Sequence, residues 1–179
     1  MKLRGTILFL AGALAALGAG WLGFPRVIYR TQAQPVDFSH KIHADKAGTK
    51  CEDCHALRGD GSFAGVPALD KCSGCHAAAM GDTVAEKQFI EKYVTPQREP
   101  AWLVYARQPE NVYFSHAVHV KRGNLKCERC HGNQGAAASP RVHQQDRISG
   151  YSRSLLTMDD CIACHREQHR ENSCLDCHK

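Results

Sequence analysis

Ten cysteines and five of the eleven histidines in this 179-residue chain fall into one repeated pattern. The cysteines form five CxxC pairs, Cys51/Cys54, Cys72/Cys75, Cys127/Cys130, Cys161/Cys164 and Cys174/Cys177, with none left over. The residue after each pair is a histidine: His55, His76, His131, His165 and His178. In a chain with this histidine content, five such placements by chance have odds of about one in a million. Three chemistries use paired thiols: zinc ligation, disulfide formation and thioether attachment of c-type haem. Zinc takes four ligands per ion, and ten cysteines do not divide into sites of four. Neither zinc nor a disulfide asks for histidine at the fifth position every time. Haem does, because the thiols bond the porphyrin vinyl groups while the adjacent imidazole comes up under the iron as proximal ligand.

Five haem c groups need five further axial ligands if every iron is closed, and six histidines lie outside the motifs: His40, His43, His116, His119, His143 and His169. Four of them form two HxxH pairs, each with Phe-Ser in front and CxxCH behind. Adding 76 to Phe38, Ser39, His40, His43, Cys51, Cys54 and His55 gives Phe114, Ser115, His116, His119, Cys127, Cys130 and His131, so the chain contains an internal duplication. Histidines three apart on a helix leave one face, yet one iron accepts only one of them opposite its proximal ligand. Each HxxH pair is therefore expected to serve two haems as distal ligands, linking a haem to its neighbour. The fifth distal ligand is open between Met158, His143 and His169. A methionine there gives a His/Met haem of higher potential than its bis-histidine neighbours.

The elements that position these groups are expected to be short. Thr83-Val84-Ala85-Glu86 has the form of a capping box, opening a helix that runs to Tyr93 or Val94 before Pro96. Residues 95 to 112, with Pro96, Pro100 and Pro109, read as an extended crossing strap carrying Trp102 and Tyr105; 132 to 140 read as a small-residue loop. About 150 residues serving five haems leaves roughly thirty each, too few for a conventional core, so the haems themselves are expected to form it. The fold class is mostly irregular with short α-helices around stacked haems, plus one N-terminal transmembrane helix. Its parts are an anchor over 1–30 and a pentahaem domain over 31–179. Within the domain lie repeat 1 at about 36–80, a connector at 81–112, repeat 2 at 113–166 and a closing fifth motif at 167–179.

The run F-S-H-x-x-H followed by CxxCH resembles the multihaem class III cytochromes c. More narrowly, AWLVYARQPENVYFSHAVHV (101–120), the Cys130-His131-Gly132 run and LTMDDCIACHRE (156–167) resemble the pentahaem membrane-anchored cytochrome subunit of alternative complex III. That resemblance covers most of the chain after residue 35. It implies an electron-transfer subunit, itself no enzyme, of a quinol-oxidising respiratory or photosynthetic complex. The implied partners are iron-sulfur and quinol-binding subunits on one side and a soluble cytochrome, copper protein or oxidase on the other. Two features depart from the family pattern: Asn111 stands where a histidine is usual, and His169 has no regular counterpart.

Lys2 and Arg4 precede about twenty uncharged residues, Gly5 to Phe24, long enough to cross the hydrocarbon layer. Trp21, Leu22 and Phe24 continue the apolar run past the small residues at 18–20, so an uncleaved anchor is expected. The haem domain then lies on the periplasmic or outer face of the cytoplasmic membrane, where haem c is attached. The polypeptide is formally +5. Two propionates of about −1 on each haem, against a ferric centre of about +1, bring the oxidised protein near zero, which removes the case for nucleic-acid binding. Lys50, Lys71, Lys121, Arg122, Lys126, Arg129 and Arg166 are candidate propionate partners. Against the electron-carrier reading stand a stand-alone anchored quinol dehydrogenase and a multihaem reductase, the latter needing an open iron position.

Overall fold

The computed structural model describes residues 2–63, 65–152 and 156–178, with side chains from Arg4 onward. Met1 and Lys179, the outer limits of the two expected domains, lie outside them. The longest element is α1, Lys2–Val27, whose window Arg4–Val27 has mean hydropathy 2.0 and none of it buried. By length and composition this helix can cross a membrane, and a leader sequence has the same properties. It outruns the uncharged stretch because Pro25 and Arg26 stay helical.

Beyond α1 regular structure is sparse. Strand β1 (Tyr29–Gln32) is followed by α2 (His40–Ala47), α3 (Cys51–Cys54), α4 (Leu69–His76) and α5 (Val84–Phe89), which continues as a π-helical turn over Ile90–Val94. A second π-helical turn (Ala117–Arg122), α6 (Glu128–His131), a 3₁₀ turn (Gln134–Ala136), β2 (His143–Asp146), α7 (Met158–Glu167) and α8 (Cys174–Cys177) complete the chain. The expected helix after Thr83 is present, and Thr83 accepts from the Glu86 amide as an N-cap. Glu86 does not close the box: its carboxylate turns back to the amides of Met80 and Gly81 and to His76 instead.

The duplication survives at the level of single hydrogen bonds. Ser39 accepts from the Ile42 amide, and Ser115 from that of Val118. Thr49 donates to the His43 carbonyl at 3.1 Å, as Leu125 does to that of His119. Each HxxH turn ends on a glycine its geometry demands. Gly48 has φ +67°, where a side chain is strained, and a Cβ on Gly123 would lie 2.6 Å from the His119 carbonyl oxygen.

Among the described residues the buried apolar cluster is only Leu69, Phe89 and Val94, with Val36, Cys72, Ile90 and Tyr93 packed against it. The accessible surface of 13590 Å² far exceeds the roughly 8,600 Å² of a compact protein of this mass. Part of the excess is α1; the rest reflects a domain whose side chains alone enclose little. What holds its segments are polar ties. The Glu99 carboxylate caps α4 through the Leu69 amide at 3.0 Å, and Gln34 exchanges two hydrogen bonds with the Leu103 backbone. Val112 bridges to His178, and the Tyr113 amide donates to the Cys177 carbonyl at 2.7 Å. Residues 98 to 112 thus cross the molecule without helix or strand, Trp102 half-buried and Tyr105 under the Arg141 guanidinium, while 95–97 turn off the preceding helix. Strands β1 and β2 pair antiparallel, Tyr29 with Asp146 through Gln32 with His143, so β1 straddles the expected boundary at residue 30.

Phe89→Ala is expected to cost about 3 kcal/mol, the scale for emptying a buried aromatic site. Val84→Ala on the exposed side of the same helix should stay within about 0.5 kcal/mol. Thermal unfolding followed by circular dichroism separates the two.

Candidate haem sites

Each CxxCH lies in a helical segment, four residues long in α3, α6 and α8, eight in α4 and ten in α7, and acidic residues fasten three of them. Asp53 accepts from the Lys50 amide ahead of α3, Asp160 from Thr157 ahead of α7 and Asp176 from Ser173 ahead of α8. Four of the five CxxCH histidines stand opposite a histidine of an HxxH pair. His40 faces His55 with ring centres 6.4 Å apart and planes 21° apart; His43 faces His76 at 5.9 Å and 55°. In the second repeat His116 faces His131 at 6.4 Å and 7°, and His119 faces His165 at 6.1 Å and 24°. The two histidines of one turn therefore have different partners.

The spacing fits a shared metal. Two imidazoles bound to one metal through their tips are separated by two bonds of roughly 2 Å and twice the roughly 1 Å from nitrogen to ring centre, a sum of about 6 Å. Stacked rings in direct contact lie closer, as Phe38 does to His43 at 4.2 Å and Phe114 to His119 at 4.6 Å. Among the described residues no group of three His, Cys, Asp or Glu converges as around a zinc ion. The four gaps and the thiols beside them fit haem c, with one imidazole on each side of an iron.

The ten thiols expected to attach haem are unequally covered. Cys51, Cys75 and Cys174 are exposed, whereas Cys54, Cys72, Cys127, Cys130, Cys161, Cys164 and Cys177 are half-buried. The contrast within one motif is sharpest on α4. Cys72 packs against the cluster of Leu69, Phe89 and Val94, but Cys75, three residues on, is open to solvent. The polypeptide thus does not enclose both thiols of the second motif. Cys75 departs in this from a site buried on all sides, because the helix over 84–94 covers Leu69 and Cys72 and reaches His76 through Glu86 and Phe89 but leaves Cys75 exposed.

The hydrogen bonds fix the tautomers that ligation needs. His43 and His119 donate from Nδ1 to the carbonyls of Ser39 and Ser115, both at 2.8 Å; His55 donates to Gly65 at 2.9 Å and His165 to Glu171 at 3.3 Å. A carbonyl only accepts, so Nδ1 carries the proton and Nε2 keeps its lone pair for a metal. His76 is held through Nδ1 by Glu86 at 2.9 Å. The Glu86 carboxyl is itself kept below its usual range, first by the Met80 amide, then by that of Gly81 and by His76. Glu86 and the Phe38 and Phe114 rings belong to the sites although no motif assigned them work. For the phenylalanines the signal was the Phe-Ser that precedes both HxxH pairs; for Glu86 it was hidden by the helix-cap pattern.

Burial lowers the pKa of His40, with further lowering by His55 and His43. It does the same for His116, with His131 and His119, and for His131, with His55 and Arg141. As thiols, Cys51, Cys72, Cys130 and Cys161 are pushed up, first by burial and then by Cys127, Cys54, Cys164 and Cys177 respectively.

The fifth motif is different. Among the described residues no ring contact joins His178 to His143 or His169. Met158 opens α7 with 63% of its surface exposed, and His169 is exposed in a left-handed conformation with φ +52°. His143 in β2 is 7% exposed, and its Nδ1 is buried without a hydrogen-bond partner, as is that of His40. All seven basic residues expected near propionates are exposed, and Arg129 is paired with Glu167 at 2.6 Å.

A histidine pKa lowered by folding adds stability that is fully present above the unfolded value of about 6.5 and is lost as pH falls from there toward the folded value. The thermal midpoint is therefore expected to drop between about pH 7 and about pH 5, the range in which histidine titrates. His116→Gln should reduce the drop. A midpoint flat across that window contradicts the neutral-imidazole geometry.

Comparison with known proteins identifies the family to which these motifs belong. Residues 112–179 match the family of cytochrome c7 and related cytochrome c, and residues 25–101 match the class III cytochrome c family. The chain is 37% identical, over 98% of its own length and 90% of the relative's, to the "menaquinone reductase, multiheme cytochrome c subunit" of Nitratidesulfovibrio vulgaris Hildenborough. Two class III matches over the two repeats and an end-to-end relative make this chain a member of the multihaem class III-type cytochromes c, electron-transfer proteins that bind haem c covalently.

Proposed function

We propose that this chain is a pentahaem electron-transfer subunit of a quinone-linked membrane complex, of the kind that includes alternative complex III. The observation that carries the reading is the set of four facing histidine pairs, each taking one member from a CxxCH and the other from an HxxH turn. In it, Cys51 and Cys54, Cys72 and Cys75, Cys127 and Cys130, Cys161 and Cys164, and Cys174 and Cys177 attach five haems. His55, His76, His131, His165 and His178 are proximal ligands, and His40, His43, His116 and His119 are distal ones. Burial favours His143 as the fifth distal ligand over the exposed Met158 and His169, although among the described residues its ring does not stand opposite His178 as the other four distal histidines stand opposite their partners. Haem supplies one-electron chemistry. In four of the five sites the protein would contribute an imidazole on both sides of the iron, and an iron closed in this way leaves no position for a substrate. This favours a carrier over a multihaem reductase.

The N-terminal helix supports a membrane anchor, with the haem domain on the outer face where thioether attachment takes place. A lone helix makes no quinone pocket, so a partner subunit supplies it. The resemblance of the 101–120 and 156–167 segments favours electrons leaving a quinol for an outer carrier or oxidase. The name of the relative at 37% identity favours the opposite direction, from an outer donor toward menaquinone.

Mass spectrometry of the isolated chain is expected to find five covalent tetrapyrroles; fewer sinks the reading. His40→Ala and His143→Ala should each turn one haem high-spin in the visible and EPR spectra, while Met158→Leu leaves all five low-spin. Direction is read with the complex isolated from native membranes in mild detergent: bleaching of the reduced haem bands by added menaquinone supports the quinone-reducing assignment, and reduction of oxidised haem by menaquinol the quinol-oxidising one. A cytochrome that purifies alone and exchanges electrons with neither contradicts the complex-subunit assignment.

A further inference from the structure

Numbered by their motifs, the five candidate sites are not neighbours in chain order. The first and second share α2, since His40 faces His55 and His43, on the same turn, faces His76. The third and fourth share the equivalent turn through His116 and His119, and the 2.6 Å ion pair between Arg129 and Glu167 ties α6 to α7. The two repeats meet between the first site and the third. Phe63 packs on His116 at 4.3 Å and lies 6.1 Å from His55. The Lys41 amide donates to the Ala137 carbonyl at 2.9 Å, and a Cβ on Gly61 would touch that of Ala117 at 3.4 Å. The fourth and fifth sites are joined by the short stretch after α7, where His165 bonds Glu171, three residues before Cys174.

The thiols repeat these links: Cys54 neighbours Cys72, Cys51 neighbours Cys127, Cys130 neighbours Cys164 and Cys161 neighbours Cys177. Cys51 and Cys127 differ by 76, so at the junction a position meets its own copy. Self-contact of equivalent positions is the mark of a twofold relation between two units. The strap agrees with it: Glu99 caps α4 beside the second site and Val112 bridges to His178 of the fifth, thirteen residues later. That length reaches at most about 43 Å, enough to run beside a row of sites from one end to the other.

We propose that the five sites form one unbranched row in the order second, first, third, fourth, fifth, the repeats meeting head to head through their first motifs. The row rests on the ligand pairs assigned above. Its ends are the sites of His76 and His178. The His76 end packs around the residues that follow α1: Tyr93 donates to the Pro35 carbonyl, and Val36 lies against the cluster of Leu69 and Phe89. Redox partners meet the row at these two ends, and His55 and its haem are interior although their motif comes first in the chain.

The test uses the full-length haem-loaded protein in detergent with two variants, His40→Met and His43→Met. Methionine ligation raises the potential of the altered site, so it is reduced first in a titration followed by EPR. Its spin then disappears, and the ferric signals of its immediate neighbours sharpen. The proposed row gives two changed neighbours for His40→Met and one for His43→Met. One neighbour for His40→Met and two for His43→Met is the chain-order result and overturns the row; two or more for both means a branched cluster and also overturns it. His43→Met alone separates the row from both alternatives, and His40→Met alone separates it from chain order, so loss of haem from one still leaves a test that can overturn the row. If neither raises any potential while five haems remain by mass, the ligand pairing fails rather than the order.

Discussion

Two imidazoles that leave one helical turn in the same direction cannot end on the same partner. His40 and His43 sit on the first turn of α2 and face His55 and His76, and the copy 76 residues later repeats the division with His131 and His165. Every HxxH turn is thereby a cross-brace between two CxxCH segments. The surrounding features serve that brace. Ser39 and Ser115 hold the second imidazole through a carbonyl and start the turn through a hydroxyl; Phe38 and Phe114 back both rings; Gly48 and Gly123 let the chain leave at once.

The brace also explains a chain that buries so few apolar side chains. A domain stabilised mainly by hydrophobic contact has to enclose many Leu, Ile, Val and Phe residues at roughly 2 kcal/mol each. Here the ordering comes from many separate ties at defined points, such as Glu99 on α4, Gln34 on Leu103 and the carboxylates that start α3, α7 and α8. Polar ties of this kind contribute about 1 kcal/mol each but fix direction as well as proximity. Direction is what facing rings at 6 Å require.

Much of this was legible in the residues because it is local. CxxCH is complete within five positions, HxxH within four, and the offset of 76 needs only the two copies side by side. The helix after Thr83 and the proline-rich crossing strap were equally readable. What escaped is long-range or polar. Glu86 fits a capping box in sequence, yet the fold uses its carboxylate on His76 and the Met80 and Gly81 amides. Nothing in CxxCH separates Cys72, which packs inward, from Cys75, which stays open to solvent, since that depends on where the helix over 84–94 lands. Phe63 carries no pattern that points to His116, because contact between the repeats is set only when they meet. The ladder of Tyr-Arg-Thr-Gln with His-Gln-Gln-Asp lacks the apolar alternation that announces a strand. His143 stood level with Met158 and His169 in the sequence, which carries no sign that it alone of the three is buried.

That ladder begins two residues after α1 ends, and the Arg147 amide extends it by donating to the Ile28 carbonyl at 2.8 Å. A tether of free coil at this point lets a head tumble above its stalk. A paired strand shortens that tether, because only Ile28 stands between α1 and a ladder that belongs to the domain. The joint between α1 and the domain is therefore a single residue, Ile28, tied on both sides: its amide donates to the Phe24 carbonyl and its carbonyl accepts from Arg147.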